Sequence, residues 1–281
     1  MHGPCLPTAG IGLKPEHFVE ALAAPAAGTW FEVHAENYMV DGGPRLAMLE
    51  EARQSCPLSL HGVGMSLAGA DLPNADHLAR LKTLVDRFEP FLVSEHLAWS
   101  RLGMHCFPDL LPCPRDAEAL ALICRNIDHV QSILGREILI ENPTHYMHLL
   151  GHEWSEPAFL GEIVRRTGCR ILLDLNNVHV SSVNLGLSET DYLAEFPIEH
   201  VDEIHIAGHS SDCSLSLLID DHGSRVSASV LSMLCDFLEH HGPRPVLVEW
   251  DRNLPDYAEL AEERDKAAAL IAAVERSHTN A

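Results

Sequence analysis

The sequence has no cysteine pair at metal-binding or redox spacing, no basic stretch and no long apolar run. Its 8 cysteines are scattered along 281 residues without a CxxC motif, which indicates a reducing cytoplasm rather than a disulfide framework. No apolar segment approaches the roughly 20 residues of a membrane span. The first residues show neither the basic nor the apolar region of a signal peptide. We therefore expect a cytoplasmic protein that has no membrane partner.

Basic residues are scarce relative to acidic ones. Lys and Arg together number 19 against 41 Asp and Glu, which gives a formal net charge of −22. Because clustered Lys and Arg bind a phosphate backbone, this balance argues against a nucleic-acid partner. No glycine-rich GxGxxG turn follows any apolar run, which argues against a doubly wound dinucleotide-binding sheet.

Short apolar runs alternate with amphipathic segments along the chain. The runs are residues 10–13, 30–34, 58–63, 91–96, 138–141, 171–175, 201–206 and 246–250, and the clearest amphipathic segments are 75–88, 117–134, 156–166, 226–241 and 255–276. Alternating strands and helices predict a parallel sheet covered by helices, and eight units in about 250 residues suffice for a closed barrel. We expect an α/β protein with one (β/α)8 TIM-barrel domain over 1–281 and a frayed tail at 277–281. An open doubly wound sheet is the alternative.

Six of the apolar runs end at or near a histidine or a carboxylate. These residues are His61, His96, Glu141, Asp174, His205 and Glu249. In a barrel, the carboxyl ends of all strands open on one face, where (β/α)8 active sites lie. Three imidazoles and three carboxylates in one apolar-walled opening are best accommodated by shared divalent cations. The pattern predicts a polynuclear centre with N and O ligands, which suit Fe(II), Mn, Zn or Mg.

Further polar residues follow these strand ends. His179, Asp220 and His222 are additional candidate ligands, and the long polar loop 208–223 that carries two of them is typical of a functional or disordered segment. Glu95 precedes His96 and points to the other face by strand alternation, which predicts a role behind the ligands. A lone histidine or glutamate at a strand end is ordinarily a core or ion-pairing residue, but the convergence of six outweighs that interpretation.

Nine segments of the sequence resemble the multinuclear non-haem iron-dependent oxidases. They are GIGLKPEHF, FEVHAENYM, LSLHGVGMSL, SEHLAW, DLLPCP, IENPTHYM, GCRILLDLNNVHVS, HIAGHS and VEWD, which begin at residues 10, 31, 58, 94, 109, 140, 168, 205 and 248. The resemblance implies a barrel of the type found in xylose isomerases and apurinic-site endonucleases. It further implies O2-dependent modification of cysteine in ribosomally made precursor peptides, as in methanobactin and thiaglutamate biosynthesis. Members of the family usually work with a small partner protein that presents the peptide leader, which implies a heterodimer.

The resemblance also implies two or three iron ions, as Fe(II) or Fe(III), with O2 as co-substrate. One ion would bind His61, His96 and Glu141; a second would share Glu141 and add Asp174, His205 and Glu249; a third would bind His179, Asp220 and His222. Asn176 is a further possible ligand, and Glu36, Asn37, Asn142, Asn177 and His209 are candidates for binding the substrate or for supporting the ligands from behind. The asparagines equally suit turn formation at strand ends.

The functional hypothesis is an iron-dependent oxidase that acts on a cysteine of a precursor peptide, at the β-carbon of that cysteine. A zinc-dependent hydrolase of the nuclease type is an alternative that the charge disfavours. A non-catalytic metal-binding protein is another. A sugar isomerase would place a lysine near the metals, and only Lys14 closely follows an apolar run.

Overall fold

The computed structural model describes residues 8–103 and 105–279. Eight of its strands are β1 (Ala9–Gly12), β2 (Trp30–His34), β3 (Leu58–Gly62), β4 (Leu92–His96), β7 (Leu139–Glu141), β8 (Arg170–Asp174), β9 (Val201–Ala207) and β12 (Val246–Glu249). They form a closed barrel of parallel strands in chain order, and β12 pairs with β1 to complete it. The predicted TIM barrel is confirmed, and each apolar run became a barrel strand within two residues of its predicted bounds.

Nine helices lie in the described residues: α1 (Phe18–Ala23), α2 (Pro44–Ser55), α3 (Ala75–Phe88), α4 (Ala117–Leu134), α5 (Glu156–Thr167), α6 (Leu175–Leu185), α7 (Glu189–Glu195), α8 (Ala228–His241) and α9 (Tyr257–Thr279). Several begin at a side chain that accepts a hydrogen bond from the first turn, as Asn74 and Asp116 do. Several end at a glycine in the left-handed region, such as Gly135 and Gly168. The local sequence therefore fixes where these helices begin and end.

The core lies between the barrel and the helices. Alternate strand residues, such as Leu60, Val93 and Ile140, pack there and are inaccessible to solvent. The intervening residues face the barrel interior because successive side chains of a strand point to opposite faces. Glu32 on β2 and His205 on β9 illustrate this, since their side chains meet although these strands are not neighbours in the sheet. The interior therefore carries polar groups, whereas the core around it is apolar.

Two antiparallel hairpins rise from the carboxyl end of the barrel. The first, β5 (Trp99–Leu102) with β6 (His105–Leu111), follows β4, and the second, β10 (Ser210–Asp212) with β11 (Leu217–Ile219), follows β9. The second hairpin lies in the segment 208–223 that was predicted as a polar loop. Its strands have three residues each, which is too short for periodicity to distinguish them from a loop.

The chain termini are described only in part. α9 continues to Thr279, so the described part of the predicted tail is helical, and residues 280 and 281 lie outside the described residues. Cys5 and the segment that was inspected for a signal peptide also lie outside them. None of the helices in the described ranges is long and apolar enough to cross a membrane.

Candidate metal centre

The inward residues at the carboxyl ends of the barrel strands form a ring of histidines and carboxylates. In barrel order they are Gly12, His34, His61, His96, Glu141, Asp174, His205 and Glu249. Strand register sets their neighbours, because His34 pairs with His61 and Asp174 pairs with His205. Six of the seven polar members are the six strand-end residues predicted from the sequence.

Two histidines and one glutamate form the first possible cation site. The Nε2 atoms of His61 and His96 lie 3.3 and 3.4 Å from Glu141 Oε2. Their other ring nitrogens are held from behind, since His61 Nδ1 lies 2.8 Å from Ser94 Oγ and His96 Nδ1 lies 3.0 Å from Gly62 O. Such contacts orient an imidazole as a ligand. The ligand atoms of the three residues lie within 4.8 Å of one another, so one ion can contact them all.

The second predicted group also comes together. Ligand atoms of Glu141, Asp174 and His205 lie within 4.8 Å of one another, as do those of Asp174, His222 and Glu249. His205 Nδ1 lies 3.3 Å from Glu249 Oε2, and His222 Nδ1 lies 3.4 Å from the same oxygen. Glu141 belongs to both this group and the first, so it is placed to bridge two ions.

Two asparagines that were predicted to bind substrate or to support the ligands contact these acidic residues. Asn142 accepts a hydrogen bond from the Asp174 backbone N–H at 2.8 Å and donates to the Asp174 carbonyl at 3.0 Å. Asn177 donates to Glu141 Oε1 at 3.0 Å, and its backbone N–H donates to Asp174 Oδ1 at 2.6 Å. Asp174 is thus the N-cap of α6, which leaves its other oxygen to face the opening. Asn177 additionally lines the cavity above the centre.

The third predicted trio is not brought together. His179 Nδ1 lies 2.6 Å from Glu189, and His179 belongs to none of the cation-sized groups among the described residues. Asp220 Oδ1 instead lies 2.7 Å from His222 Nε2 and accepts a hydrogen bond from Asn176 at 2.7 Å. His179 follows Asn176 by three residues on α6 and therefore lies on the same side of the helix, one turn further on, where its Nδ1 pairs with Glu189.

His209 lies beside this third group. Its Nδ1 is 2.8 Å from Asn176 Oδ1, and its ring is 5.0 Å from that of His179. His209 therefore contacts Asp220 only through Asn176, and the predicted substrate contact of His209 stays a prediction.

The remaining predicted residues surround the first group. Glu95 is buried, and its carboxylate accepts hydrogen bonds from the backbone N–H groups of Met65 and His96 at 3.1 and 3.2 Å. Glu36 Oε1 accepts from the Val63 backbone N–H at 3.0 Å and lies 3.3 Å from His77 Nε2.

Glu36 and His77 both line the cavity above the centre, so they are placed to contact a substrate. Asn37 is exposed and lines a separate hollow of about 110 Å³ beside Lys14 and His34.

The sequence analysis did not select His34 as a site residue, and it mentioned Lys14 only as the lysine that closely follows an apolar run. His34 ends the second apolar run, so the rule that selected the other six residues also applies to it, and its Nε2 lies 3.5 Å from Glu249 Oε1. On β1 the corresponding residue is Gly12, and a Cβ there would lie 3.9 Å from Lys14 Nζ. The Lys14 ammonium pairs with Asp251. The group of His34, Glu249 and Asp251 therefore already has a cation of the protein beside it.

The ionisable groups of the candidate centre have shifted pKa values because they are buried together without counter-ions. Burial, with the neighbouring Glu249 charge, raises the pKa of Glu141 to about 8, and burial with Glu141 raises the pKa of Asp174 well above its usual value. Burial lowers the pKa of His61 well below its usual range, assisted by His96 and His205. Protons thus neutralise carboxylates at positions where no Lys or Arg does so.

One histidine and one carboxylate are affected in the opposite direction. Burial alone would lower the pKa of His205, but Glu32, Glu203 and Glu249 raise it well above its usual value. Burial would raise the pKa of Glu249, but His222 and the close contacts with His205 and His34 hold it well below its usual range.

Several buried nitrogen and oxygen atoms that could bind a metal ion have no hydrogen-bond partner within the described parts of the chain. They include His61 Nε2, Glu141 Oε2, Asp174 Oδ2 and His205 Nδ1. Each such atom costs on the order of 1–3 kcal/mol when left unpaired. These atoms belong to the overlapping groups described above, so cations between them would satisfy all of them together. The residues present therefore fit a cluster of divalent cations with mixed N and O ligands.

A cavity of about 800 Å³ opens above the centre. Its walls include His96, Glu141 and His222 of the centre, Tyr146, and the first hairpin through Arg101, Cys106 and Phe107. Arg101 is the sole Lys or Arg among the described residues that line it. The cavity connects the predicted cluster with the protein surface and is large enough for a segment of a peptide.

The closed barrel of parallel strands covered by helices places this protein in the class of TIM-barrel proteins, and its carboxyl end carries groups of histidine and carboxylate that could hold cations. Among solved structures, it is similar to a xylose isomerase-like TIM barrel protein from Mycobacterium smegmatis in complex with magnesium, with a TM-score of 0.60, 12% identity and coverage of 98% of this chain and 100% of that one. It is also similar to endonuclease IV from Thermus thermophilus, with a TM-score of 0.58, 16% identity and coverage of 96% and 100%. These likenesses concern the fold.

The chain belongs to the family of the RiPP precursor modification enzymes MbnB/TglH/ChrH, whose family model matches residues 8–272. The family resemblance inferred from the motifs is thereby confirmed. A UPF0276 protein of Caulobacter sp. (strain K31) is 54% identical over 267 residues, which cover 94% of this chain and 96% of that protein. The UPF0276 protein RB0508 of Rhizobium meliloti (strain 1021) is 45% identical, with coverage of 94% and 86%.

Proposed function

We propose that this chain is an iron-dependent enzyme that uses O2 to oxidise a cysteine residue of a ribosomally made precursor peptide. The observation that carries the proposal is the set of unpaired, buried imidazole and carboxylate atoms that meet below the 800 Å³ cavity. A centre built from such atoms within a family of precursor-modifying enzymes is suited to metal-dependent chemistry on a peptide. Mixed histidine and carboxylate ligands suit Fe(II).

Three sets of residues would hold iron. One ion would bind His61, His96 and Glu141, and a second would bind Glu141, Asp174, His205 and Glu249. A third would bind Asp220 and His222 beside Asn176, since Asp220 contacts both of these side chains. Bound iron supplies redox chemistry toward O2 and lowers the pKa of a substrate thiol that binds to it. None of the protein's described cysteines belongs to the cation-sized groups, so the thiol is supplied by the substrate.

The residues of the chain perform the remaining tasks. Asn142 and Asn177 hold Asp174 and Glu141 in place, so the ligands need little reorganisation when an ion binds. The first hairpin and the Tyr146 segment wall the cavity and limit the access of water to it. Glu36 and His77, which contact each other at the cavity wall, are placed to hold the peptide near His96.

The rim of the opening is suited to a peptide. Nine exposed, large apolar side chains lie in the segments that follow the carboxyl ends of barrel strands, namely Val40, Leu72, Leu102, Phe107, Leu110, Tyr146, Met147, Leu150 and Leu215. Exposed apolar residues that cluster around a polar site are typical of protein or peptide binding. The rim therefore supports a polypeptide substrate, and a small partner protein that presents the peptide leader would use the same face.

The test is a mass measurement on the peptide. Protein loaded with Fe(II) is incubated with a cysteine-containing precursor peptide and a small partner protein, both sought among the products of genes adjacent to its own. We expect a mass change in air and none without O2, because O2 is the electron acceptor. Equal conversion without O2 would overturn the proposal.

The controls separate the enzyme from the peptide. A precursor with the reacting cysteine replaced by serine should stay unmodified, and so should the intact precursor incubated with a Glu141→Gln variant. Glutamine keeps the size of Glu141 but lacks the charge with which it would bridge two ions. Conversion of the serine peptide would show that the thiol is not the target.

A zinc-dependent hydrolase of the nuclease type is the second candidate, because the donor set also suits zinc. The cavity walls argue against it, since Glu36, Asp109 and Asp220 line the cavity and Arg101 is the one basic residue among its described walls. A phosphate backbone would be repelled by such walls. Zinc-loaded protein is therefore expected to leave duplex DNA with an abasic site intact, and cleavage would favour this candidate.

A further inference from the structure

A second polar layer lies directly beneath the metal centre. Glu32 and Glu203 are two residues before the ring members His34 and His205 on β2 and β9, so their side chains enter the barrel interior one step deeper. Both are almost inaccessible to solvent, with 2% and 0% exposure. Two buried carboxylates at one place are costly unless something uses them.

The His205 ring stands between the two layers. Its Nδ1 faces upward to Glu249 Oε2 at 3.3 Å, within the metal centre. Its Nε2 faces downward, 3.2 Å from Glu32 Oε1 and 3.6 Å from Glu203 Oε1. Each ring nitrogen thus has a different environment, and two carboxyl groups lie beside the lower one.

The two lower carboxylates are not equivalent. Glu32 Oε2 accepts a hydrogen bond from the buried Ser59 hydroxyl at 2.9 Å, which fixes its carboxylate in place. Both oxygens of Glu203 lack a hydrogen-bond partner among the described residues, and Glu203 is also farther from the imidazole. Glu32 is therefore the carboxylate that is held in position to accept the Nε2 proton.

We propose that Glu32, anchored by Ser59, is a positioning residue that keeps the proton of His205 on Nε2 and thereby makes Nδ1 the nitrogen that binds the cation. The inference rests on the metal centre of the proposed function. A carboxylate behind a ligand histidine fixes its tautomer and orientation and makes the imidazole a stronger donor. Glu32 contacts no cation itself and acts only through His205.

The direct test is the tautomer of His205 in protein loaded with Zn2+, which is diamagnetic. Long-range 15N–1H correlation spectra of 15N-histidine-labelled protein distinguish a metal-bound Nδ1 from a metal-bound Nε2, and the His205→Asn variant identifies the signals. We expect Nε2 to carry the proton and Nδ1 to bind the ion. A metal-bound Nε2 would overturn the inference, and this measurement requires no substitution at Glu32.

The second test compares isosteric variants by competition of Co2+ with a chromophoric chelator. Glu32→Gln should lower the affinity of the most weakly bound ion 10- to 100-fold, the range for such supporting residues, and should shift the visible Co2+ bands. Ser59→Ala should give a smaller change of the same direction. If Glu32→Gln does not fold, Ser59→Ala is compared with the parent protein in its place.

Two control variants separate this role from a general effect of removing buried charge. Glu203→Gln should lower the affinity less than Glu32→Gln. Glu263→Gln removes a buried carboxylate that pairs with Arg225, far from His205, and should lower thermal stability without shifting the Co2+ bands. Equal affinity in Glu32→Gln and the parent protein would overturn the inference alone. A parent protein that binds no cation would overturn the metal centre, and the inference with it.

Discussion

The candidate metal centre and the cluster around Glu156 are both buried sets of carboxylates and histidines. Only the cluster around Glu156 contains the cationic and hydroxyl groups that pair with its carboxylate. Glu156 lies 3.3 Å from Arg115 Nη1, accepts a hydrogen bond from the Tyr192 hydroxyl at 2.7 Å and pairs with His145. Although burial would raise the pKa of Glu156, His145, Tyr192 and Arg115 lower it. In the metal centre, burial instead raises the pKa of Glu141 to about 8.

This difference shows what identifies a ligand site. Burial of carboxylate and imidazole occurs in both places, so burial alone does not distinguish them. The cluster around Glu156 contains its own arginine and hydroxyl donors, whereas the centre leaves atoms such as Glu141 Oε2 and Asp174 Oδ2 unpaired. A site that awaits cations is recognised by unpaired buried donors that share one space.

The largest expected difference between the two regions is in activity. Glu141→Gln should remove at least one bound metal ion and lower peptide oxidation by more than about 100-fold, beyond the effect of most supporting residues. The metal-free Glu141→Gln variant should melt at the temperature of the metal-free parent protein near pH 7. The reason is that the Glu141 carboxyl, with a pKa of about 8, is mostly protonated there, and glutamine resembles the protonated form. Metal analysis, the peptide assay and melting in chelator check this. Unchanged metal content would contradict the role given to Glu141.

The same substitution at Glu156 should have the opposite profile. Glu156→Gln leaves the Arg115 charge without its partner, and breaking a buried ion pair costs about 3–5 kcal/mol. Urea unfolding should show this loss, while the metal content of the folded protein stays at the parent value. If Glu156→Gln instead lost metal and kept its stability, the contrast between the two regions would not hold.

Cation binding should stabilise the centre alone. A divalent ion at 100 times its dissociation constant raises the free energy of unfolding by about 2.7 kcal/mol when it binds only the folded state. Thermal melting with Fe(II) under argon should show a rise that a chelator reverses. The rise should be smaller in Glu141→Gln and undiminished in Glu156→Gln.

The smallest expected effect is a dependence of stability on pH in metal-free protein. The folded-state pKa of Glu141 is raised to about 8, and those of His205 and His222 are raised well above their usual value. Stabilisation from such groups is present below their unfolded pKa values and is lost as pH rises through the folded ones. Glu141 alone should therefore cost the metal-free protein about 1–2 kcal/mol of stability between pH 6.5 and pH 8, and the two histidines add losses of the same sign.

The histidines with lowered pKa, His61 and His96, act in the opposite direction only below about pH 6.5, the unfolded value of histidine. The depressed pKa of Glu249 matters only at lower pH still, because its contribution is lost as pH falls. Urea titrations with and without bound metal measure the slope. A slope that is unchanged when metal is bound would show that these protons are not displaced by cations.

The sequence predicted the barrel and most of the ring because both follow from local patterns. Buried parallel strands are continuous apolar runs, and a polar residue at the end of such a run must lie at the opening of a closed barrel. His34 could have been found by the same rule. Helix ends were also local, since Asn74 and Gly135 occupy cap positions at the two ends of predicted helices.

The role of His179 could not be predicted in this way. Its Nδ1 pairs with Glu189 at the beginning of α7, and the packing of α7 against α6 is a tertiary contact. The two hairpins were missed because their strands are short and partly polar, and their pairing is visible only in three dimensions.

The amino-acid sequence by itself determined the strand–helix alternation, the excess of acidic residues and the polar residues at the strand ends, because each depends on residue type and spacing along the chain. Only the tertiary structure decided which of these residues share a cation-sized space and which ring nitrogen of His205 lies beside Glu32. Those relations join side chains from strands far apart in the sequence, and barrel closure brings them together.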